Sequence, residues 1–214
     1  MDDGSDNMNI SKAYEITGKY IPEEGGCLIF ESGKRTAVTT SSDAPAVINA
    51  VNGLLTCGAV PKYVSAAFTV GKDVEEKALE AVAKEAAQGA EKAGVEITCG
   101  DVKMTDGSGV TLCATGIGFL KYSTDISPRN IRTGDAVVVA DNAAPLCDEV
   151  RKMLRTGVEL HAMINVTDGR LKEALGKLGI SAAADGNGFI AVVPKAQAKE
   201  AVRILGDAEI IGNA

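Results

Sequence analysis

Tryptophan is absent from the 214-residue chain, aromatic residues make up only 4% of it, and histidine occurs once, as His161. Alanine, valine, isoleucine and leucine must therefore fill the interior, and such residues suit closely packed layers of helix on sheet. No cysteine pair has C-x-x-C spacing. The five cysteines (Cys27, Cys57, Cys99, Cys113, Cys147) are scattered and odd in number, which argues against a disulfide framework or a zinc site and for reduced, mostly buried thiols. No apolar run is long enough to span a bilayer. The N-terminal sequence MDDGSDNMN is acidic and polar, unlike a signal peptide, so the expected location is cytoplasmic. Positive charge is scarce as well: the formal net charge is −7 and the pI about 4.9. Nucleic acid and an anionic membrane surface both need a basic footprint, so neither is an expected partner. A phosphate-bearing ligand stays compatible, because helix N-termini or a bound cation can carry it.

What is present reads as α/β. Residues 1–24 are polar with little periodicity and form an N-terminal arm. Cys27 to Glu31 and Arg35 to Thr40 alternate around a Ser32-Gly33-Lys34 turn, which predicts a hairpin. Ser41-Ser42-Asp43 with Pro45 predicts a helix start, and Gly58 its end. Lys62 to Val70 reads as a strand. A long helix is expected from Asp73 to Ala93, with Asp73 and Glu76 as an acidic capping box and Val74, Ala78, Val82, Ala86 and Ala90 as its inner face. Val95 to Cys99 reads as a strand that ends in a Gly100-Asp101 turn. Val110 to Leu120 is a longer strand in which Gly116 and Gly118 suggest a bulge or a close backbone approach. A boundary is expected near residue 130, giving a first domain over 25–130 and a second over 131–214. The second holds strands at Ala136 to Ala140, Val158 to Ile164, near Ser181, Phe189 to Val193 and Glu209 to Ile211. Helices are expected at Leu146 to Thr156, Asp168 to Leu178 and Lys195 to Leu205.

Phosphate loops fail inspection. Gly33-Lys34 is followed by Arg35, where a P-loop needs Ser or Thr for magnesium. Gly186-Asn187-Gly188 with Ala191 fits G-x-G-x-x-A in letters but lies between two expected strands, so it reads as a turn. His161 reads as a packed or solvent-edge residue. Asp101 has two readings. A carboxylate at the carboxyl end of a buried strand, with Lys103 projecting to the same side, could serve a hydrated magnesium and a phosphate. Alternatively, the pair is an ordinary Asx turn with a surface lysine.

Several segments taken in order carry a resemblance: Thr39-Thr40, Val51-Asn52, Gly58-Ala59-Val60-Pro61-Lys62-Tyr63-Val64-Ser65, and the helix ending Ala93-Gly94-Val95. Next come Cys99-Gly100-Asp101-Val102-Lys103, Thr115-Gly116-Ile117-Gly118 and Ser127-Pro128 to Ile131-Arg132-Thr133-Gly134-Asp135. His161-Ala162-Met163, Val166-Thr167-Asp168-Gly169 and the tail from Asn187 to Gly212 complete the set. Together they resemble the aminoimidazole ribonucleotide (AIR) synthase-related, PurM-like superfamily, which includes thiamine-monophosphate kinase and selenide water dikinase. The resemblance is nearest to its hydrogenase-maturation carbamoyl dehydratases, HypE. It implies a PurM-like N-terminal domain that pairs into a dimeric β-barrel, followed by a reduced α/β sandwich, α/β (α+β) in class. It also implies a homodimer and ATP held between domains, its phosphates bridged by Mg2+ to aspartates. The positions that match the family's binding segments are Thr39, Thr40, Asn52, Asp101, Lys103 and Gly116, with Asp101 as the metal ligand.

The departures from the family pattern are specific. Ser41 stands where an aspartate usually follows the Thr-Thr pair, and Gly53 stands where another follows the asparagine. Ile164-Asn165-Val166-Thr167 replaces His-Asp-Val-Thr. Asp43, two residues from the first loss, could compensate or act as a helix cap. The second domain is shortened, and the terminal cysteine that carries the carbamoyl group in HypE has no counterpart, since the last cysteine is Cys147. One carboxylate gives a triphosphate–magnesium complex a weak, poorly oriented site, and phosphoryl transfer depends on positioning and charge neutralisation. Two functions are therefore expected to compete. One is a HypE-like protein that still binds a nucleotide or phosphorylated small molecule between its domains; the other is a non-catalytic homodimeric binding or regulatory module. An enzyme acting on a smaller phosphorylated substrate without ATP is a third reading.

Overall fold

The computed structural model describes residues 28–31, 35–42, 44–120, 125–181 and 185–214. The N-terminal arm, Cys27, the Ser32-Gly33-Lys34 turn and Asp43 lie outside the described residues, as do residues 182–184. The first part of the chain forms β1 (Leu28–Glu31), β2 (Arg35–Ser41), α1 (Ala46–Leu55), β3 (Ala59–Gly71), α2 (Glu76–Ala93), β4 (Glu96–Thr105) and β5 (Val110–Leu120). Its sheet has the order β1-β2-β5-β3-β4. Neighbours run antiparallel except β3 and β4, which are parallel because α2 makes the crossover between them. A short 3-10 turn at Pro128–Asn130 leads into β6 (Ala136–Ala140), α3 (Cys147–Thr156), β7 (Ala162–Val166), α4 (Leu171–Lys177), β8 (Gly188–Val193), α5 (Ala198–Leu205) and β9 (Ala208–Asn213). This second sheet is antiparallel throughout, in the order β7-β8-β6-β9. The chain is thus a mixed α/β (α+β) fold with two sheets.

β8 shows why the second sheet is solid. All six of its residues are buried, and its side chains alternate between two cores. Phe189, Ala191 and Val193 join the core under α3 and α5, while Ile190 and Val192 join a smaller core beside α4. A continuous apolar run is what a strand covered on both faces requires. The larger core continues into the first half through Val47, Ala50 and Val51 of α1 and Ala114 of β5, so α1 is the element that welds the halves together. Every residue of α1 is buried.

Several expected boundaries are corrected. α1 starts at Ala46 with Pro45 at its N-cap, later than the expected start at Ser41-Ser42-Asp43, of which Asp43 lies outside the described residues. α2 starts at Glu76 after Glu75, and the Asp73–Glu76 capping box does not form. Only Ala86, Gly89 and Ala90 of α2 are buried, and Ala78, expected on the inner face, is exposed. In the second half the strand expected at Val158 to Ile164 is shifted to Ala162–Val166, the helix expected from Asp168 begins at Leu171, and Ser181 is not in a strand. The largest correction concerns β4. The strand does not stop at Cys99; it runs straight through Gly100 and Asp101 to Thr105, paired with β3 along its length. Gly100 is required for packing rather than for a turn, since a Cβ there would lie 2.3 Å from the Ala66 carbonyl oxygen.

Candidate functional site

Register assigns the expected site residues to the two faces of the first sheet. In neighbouring strands, directly paired residues point to the same side. Asp101 pairs with Ala67, and Ala67 with Cys113. Lys103 pairs with Thr69, and Thr40 with Thr115. All of these share the outer face, where Thr40, Ala67, Thr69, Asp101 and Lys103 are exposed. The Thr40 and Thr115 hydroxyls are 3.1 Å apart. Among the described residues the Asp101 carboxylate accepts one hydrogen bond, from the Val102 N–H at 2.9 Å. Thr39 and Gly116 pair with each other on the inner face, under α1. A Cβ on Gly116 would sit 3.0 Å from Leu54 Cδ1 and 3.3 Å from the Ala50 carbonyl oxygen, so the expected close approach at this glycine is present.

Asn52 is fully buried and its carboxamide makes three hydrogen bonds. It donates to the Asn142 and Ala144 carbonyls at 3.3 and 2.9 Å and accepts the Leu146 N–H at 2.9 Å. A second asparagine chain runs parallel to it: Asn142 donates to Asn165 Oδ1 at 2.8 Å, and Asn165 donates to the Asn49 carbonyl at 3.2 Å. These bonds tie α1 to the loop after β6 and to β7. Sequence reading missed Asn49, Asn142 and Asn165 as a joint, because asparagines at those separations give no local signal. A single chain therefore divides the six expected residues. Thr39 and Gly116 lie on the sheet face under α1 and Asn52 lies within α1, while Thr40, Asp101 and Lys103 lie on the open face.

The acidic cluster that the resemblance implies does not fit these residues as a resident metal site. Among the described residues no group of three His, Cys, Asp or Glu side chains could hold a metal ion. A Cβ on Gly53 would lie 2.7 Å from Thr39 Oγ1, so the place of the second acid is filled by a threonine hydroxyl. Ser41, at the place of the first, has a buried hydroxyl without a hydrogen-bond partner among the described residues. Apart from Asp101 on the opposite face, the donors left are neutral oxygens, which suit magnesium poorly on their own. Nor is Cys147 a reactive thiol, since burial is the main cause that raises its pKa to about 11.

The comparisons with known proteins agree with the sheet pattern. Residues 44–120 match the family model for the AIR synthase related protein, N-terminal domain. The chain is 26% identical over 158 residues to a putative hydrogenase expression/formation protein of Methanocaldococcus jannaschii, covering 62% of this chain and 47% of that one. It is 33% identical over 98 residues to carbamoyl dehydratase HypE of Rhizobium leguminosarum bv. viciae, covering 44% and 28%. Residues 44–120 are thus AIR synthase-related, and the chain is similar to HypE over part of its length. The matched stretches span less than half the length of either curated relative. The fold extends further. A chain of a HypE-HypF complex superposes with a TM-score of 0.77 at 22% identity, over 94% of this chain and 92% of the other. HypE solved in complex with ATP gives 0.69 at 18% identity, over 92% and 80%. Both sheets of this HypE-like chain thus have counterparts in known folds.

A separate open pocket of about 660 Å3 lies on the second sheet, between α4 and residues 128–133. Its floor is apolar, from Ile131, Ile164, Val166 and Leu178. The charges around it are paired, Arg170 with Asp168 and Lys177 with Glu173. None of the six expected site residues lines it. Among the described residues no helix is long and apolar enough to cross a membrane.

Proposed function

We propose that this is a cytoplasmic, homodimeric HypE-like protein of hydrogenase maturation that binds a nucleotide or another phosphorylated small molecule without turning it over. Residues 25–130 act as the first domain and 131–214 as the second. The observation that carries the reading is the open face of the first sheet. Its outer side carries Asp101 and Lys103 on β4 and Thr40 three strands away on β2, while β4 exposes Ile97, Val102 and Met104 at the sheet's edge. An exposed, partly apolar edge strand invites pairing with another strand, and a second copy placed there would wall the ligand site. Magnesium carried in on the nucleotide would find one carboxylate, Asp101, and would keep most of its waters. One carboxylate can bind weakly but gives too little positioning and charge neutralisation for phosphoryl transfer. The HypE–ATP structure makes a nucleotide the first ligand to try, and the HypE-HypF complex makes a HypF-type protein the first partner.

Thermal shift tests the ligand. Millimolar ATP or ADP with magnesium is expected to raise the Tm of the protein, and Asp101→Ala is expected to abolish the rise without lowering the basal Tm. Flat curves with both nucleotides would remove the nucleotide reading in favour of the non-catalytic dimeric scaffold. Stabilisation by sugar phosphates alone would favour the smaller-substrate reading.

A further inference from the structure

The segment that carries the chain from the first sheet to the second is fastened at both ends to one residue. At its start the Ser127 N–H donates to the His161 carbonyl at 3.0 Å. At its end the Asp135 carboxylate lies 2.6 Å from His161 Nδ1 and also accepts the Arg132 N–H at 2.7 Å. The other ring nitrogen, Nε2, is 2.9 Å from Glu159 Oε1. His161 and Asp135 are buried, at 3% and 5% exposure, whereas the Glu159 side chain is about half exposed. The charged groups facing the ring are Asp135 and Arg132 from the connecting segment and Glu159 from the turn before β7; the Arg132 guanidinium reaches Glu159 at 3.4 Å. β8 offers the Val192 carbonyl, which takes the His161 N–H at 2.9 Å, and the neutral Gln197 side chain accepts the Glu159 N–H at 2.7 Å.

A neutral imidazole has one N–H and can donate to only one of two carboxylates, whereas an imidazolium donates to both. A ring with a carboxylate at each nitrogen is therefore matched to the cation. We propose that His161 is a protonation-dependent clasp: as an imidazolium it holds residues 127–135 against the second sheet through Asp135 and Glu159, and as a neutral ring it releases one of the two. Segment 127–135 is the covalent connection between the sheets, and Pro128, Ile131, Arg132 and Thr133 form one wall of the 660 Å3 pocket. Releasing the clasp loosens that wall and the hinge together.

The electrostatics support the geometry. Burial is the largest single influence on His161 and pushes its pKa down. The hydrogen bonds to Asp135 and Glu159, with the Asp135 charge, outweigh it together, so the net shift is upward from 6.5. A group whose pKa is raised on folding adds stability that is complete below its unfolded value. The clasp is thus whole below pH 6.5 and is lost as pH climbs through the higher folded-state pKa.

Because His161 is the sole histidine, its two ring nitrogens can be followed by 15N NMR in the intact protein. Both are expected to carry protons at pH 6, with a titration midpoint above 6.5. The midpoint should fall by roughly one pH unit in Asp135→Asn and by less in the half-exposed Glu159→Gln, which serves if the first variant does not fold. Amide hydrogen exchange at Ser127 and Arg132, corrected for its intrinsic pH dependence, should quicken over the same titration and lose that step in His161→Gln. A midpoint at or below 6.5, a single protonated ring nitrogen at pH 6, or exchange at these amides that ignores the titration would overturn the clasp.

Discussion

β4 and β8 are opposite solutions to the same local problem. β8 lies inside its sheet with neighbours on both sides and apolar layers on both faces, and its six residues are all buried. β4 lies at the edge of its sheet, and nine of its ten residues are exposed despite pairing with β3. The second sheet is complete in one chain; the first is complete only on the side covered by α1. Stability is therefore expected to reside in the second sheet and its weld to α1, and association in the first.

Substitutions should separate the two regions, and the largest effect belongs to β8. Phe189→Ala removes a fully buried ring from the larger core and is expected to cost about 3–5 kcal/mol, read as a lower midpoint in urea unfolding. A loss under about 1 kcal/mol would show that the second sheet is not the stable one. The weld comes next. Asn52→Ala strips three hydrogen bonds from the loop after β6 and leaves the buried Leu146 N–H without its acceptor, at an expected cost of about 1–3 kcal/mol. Two unfolding transitions in that variant would sharpen the comparison further, since the halves would then melt separately. Val102→Asp with Met104→Asp on β4 is expected to change monomer stability little, because both side chains are already more than half exposed. It should break the proposed dimer, halving the mass seen by light scattering at micromolar concentration; an unchanged dimeric mass would place the interface elsewhere, and a monomeric mass before substitution would remove the dimer.

The pattern of elements was legible along most of the chain, for reasons that differ from place to place. β5 appears at Val110–Leu120 as expected, because alternation over that length has one solution and its glycines fall where α1 and β3 press close. Gly94 and Gly157 end their helices in the left-handed conformation that glycine adopts most readily. Errors gathered where tertiary contacts override local signs. Gly100-Asp101 carries the letters of a turn, yet the glycine is there because the Ala66 carbonyl allows no Cβ. Ser41-Ser42-Asp43 carries the letters of a cap, yet α1 begins later, at Ala46. His161 was expected to be packed or at the solvent edge, and it is packed, but its partners Asp135 and Glu159 meet it only because the connecting segment folds back onto β7.

The same division applies to the residue with which the functional question began. The sequence alone determined that Asp101 is an acid while Ser41 and Gly53 are not, since those facts concern letters and their order. Only the tertiary structure decided that Asp101 and Lys103 face outward with Thr40 while Thr39 and Gly116 face α1, and that Asn52, within α1, is a joint between the halves. The physical reason is strand register. Side chains alternate between faces at every residue, so neighbours in sequence such as Thr39 and Thr40 part company, and residues 75 positions apart, Thr40 and Thr115, come to touch.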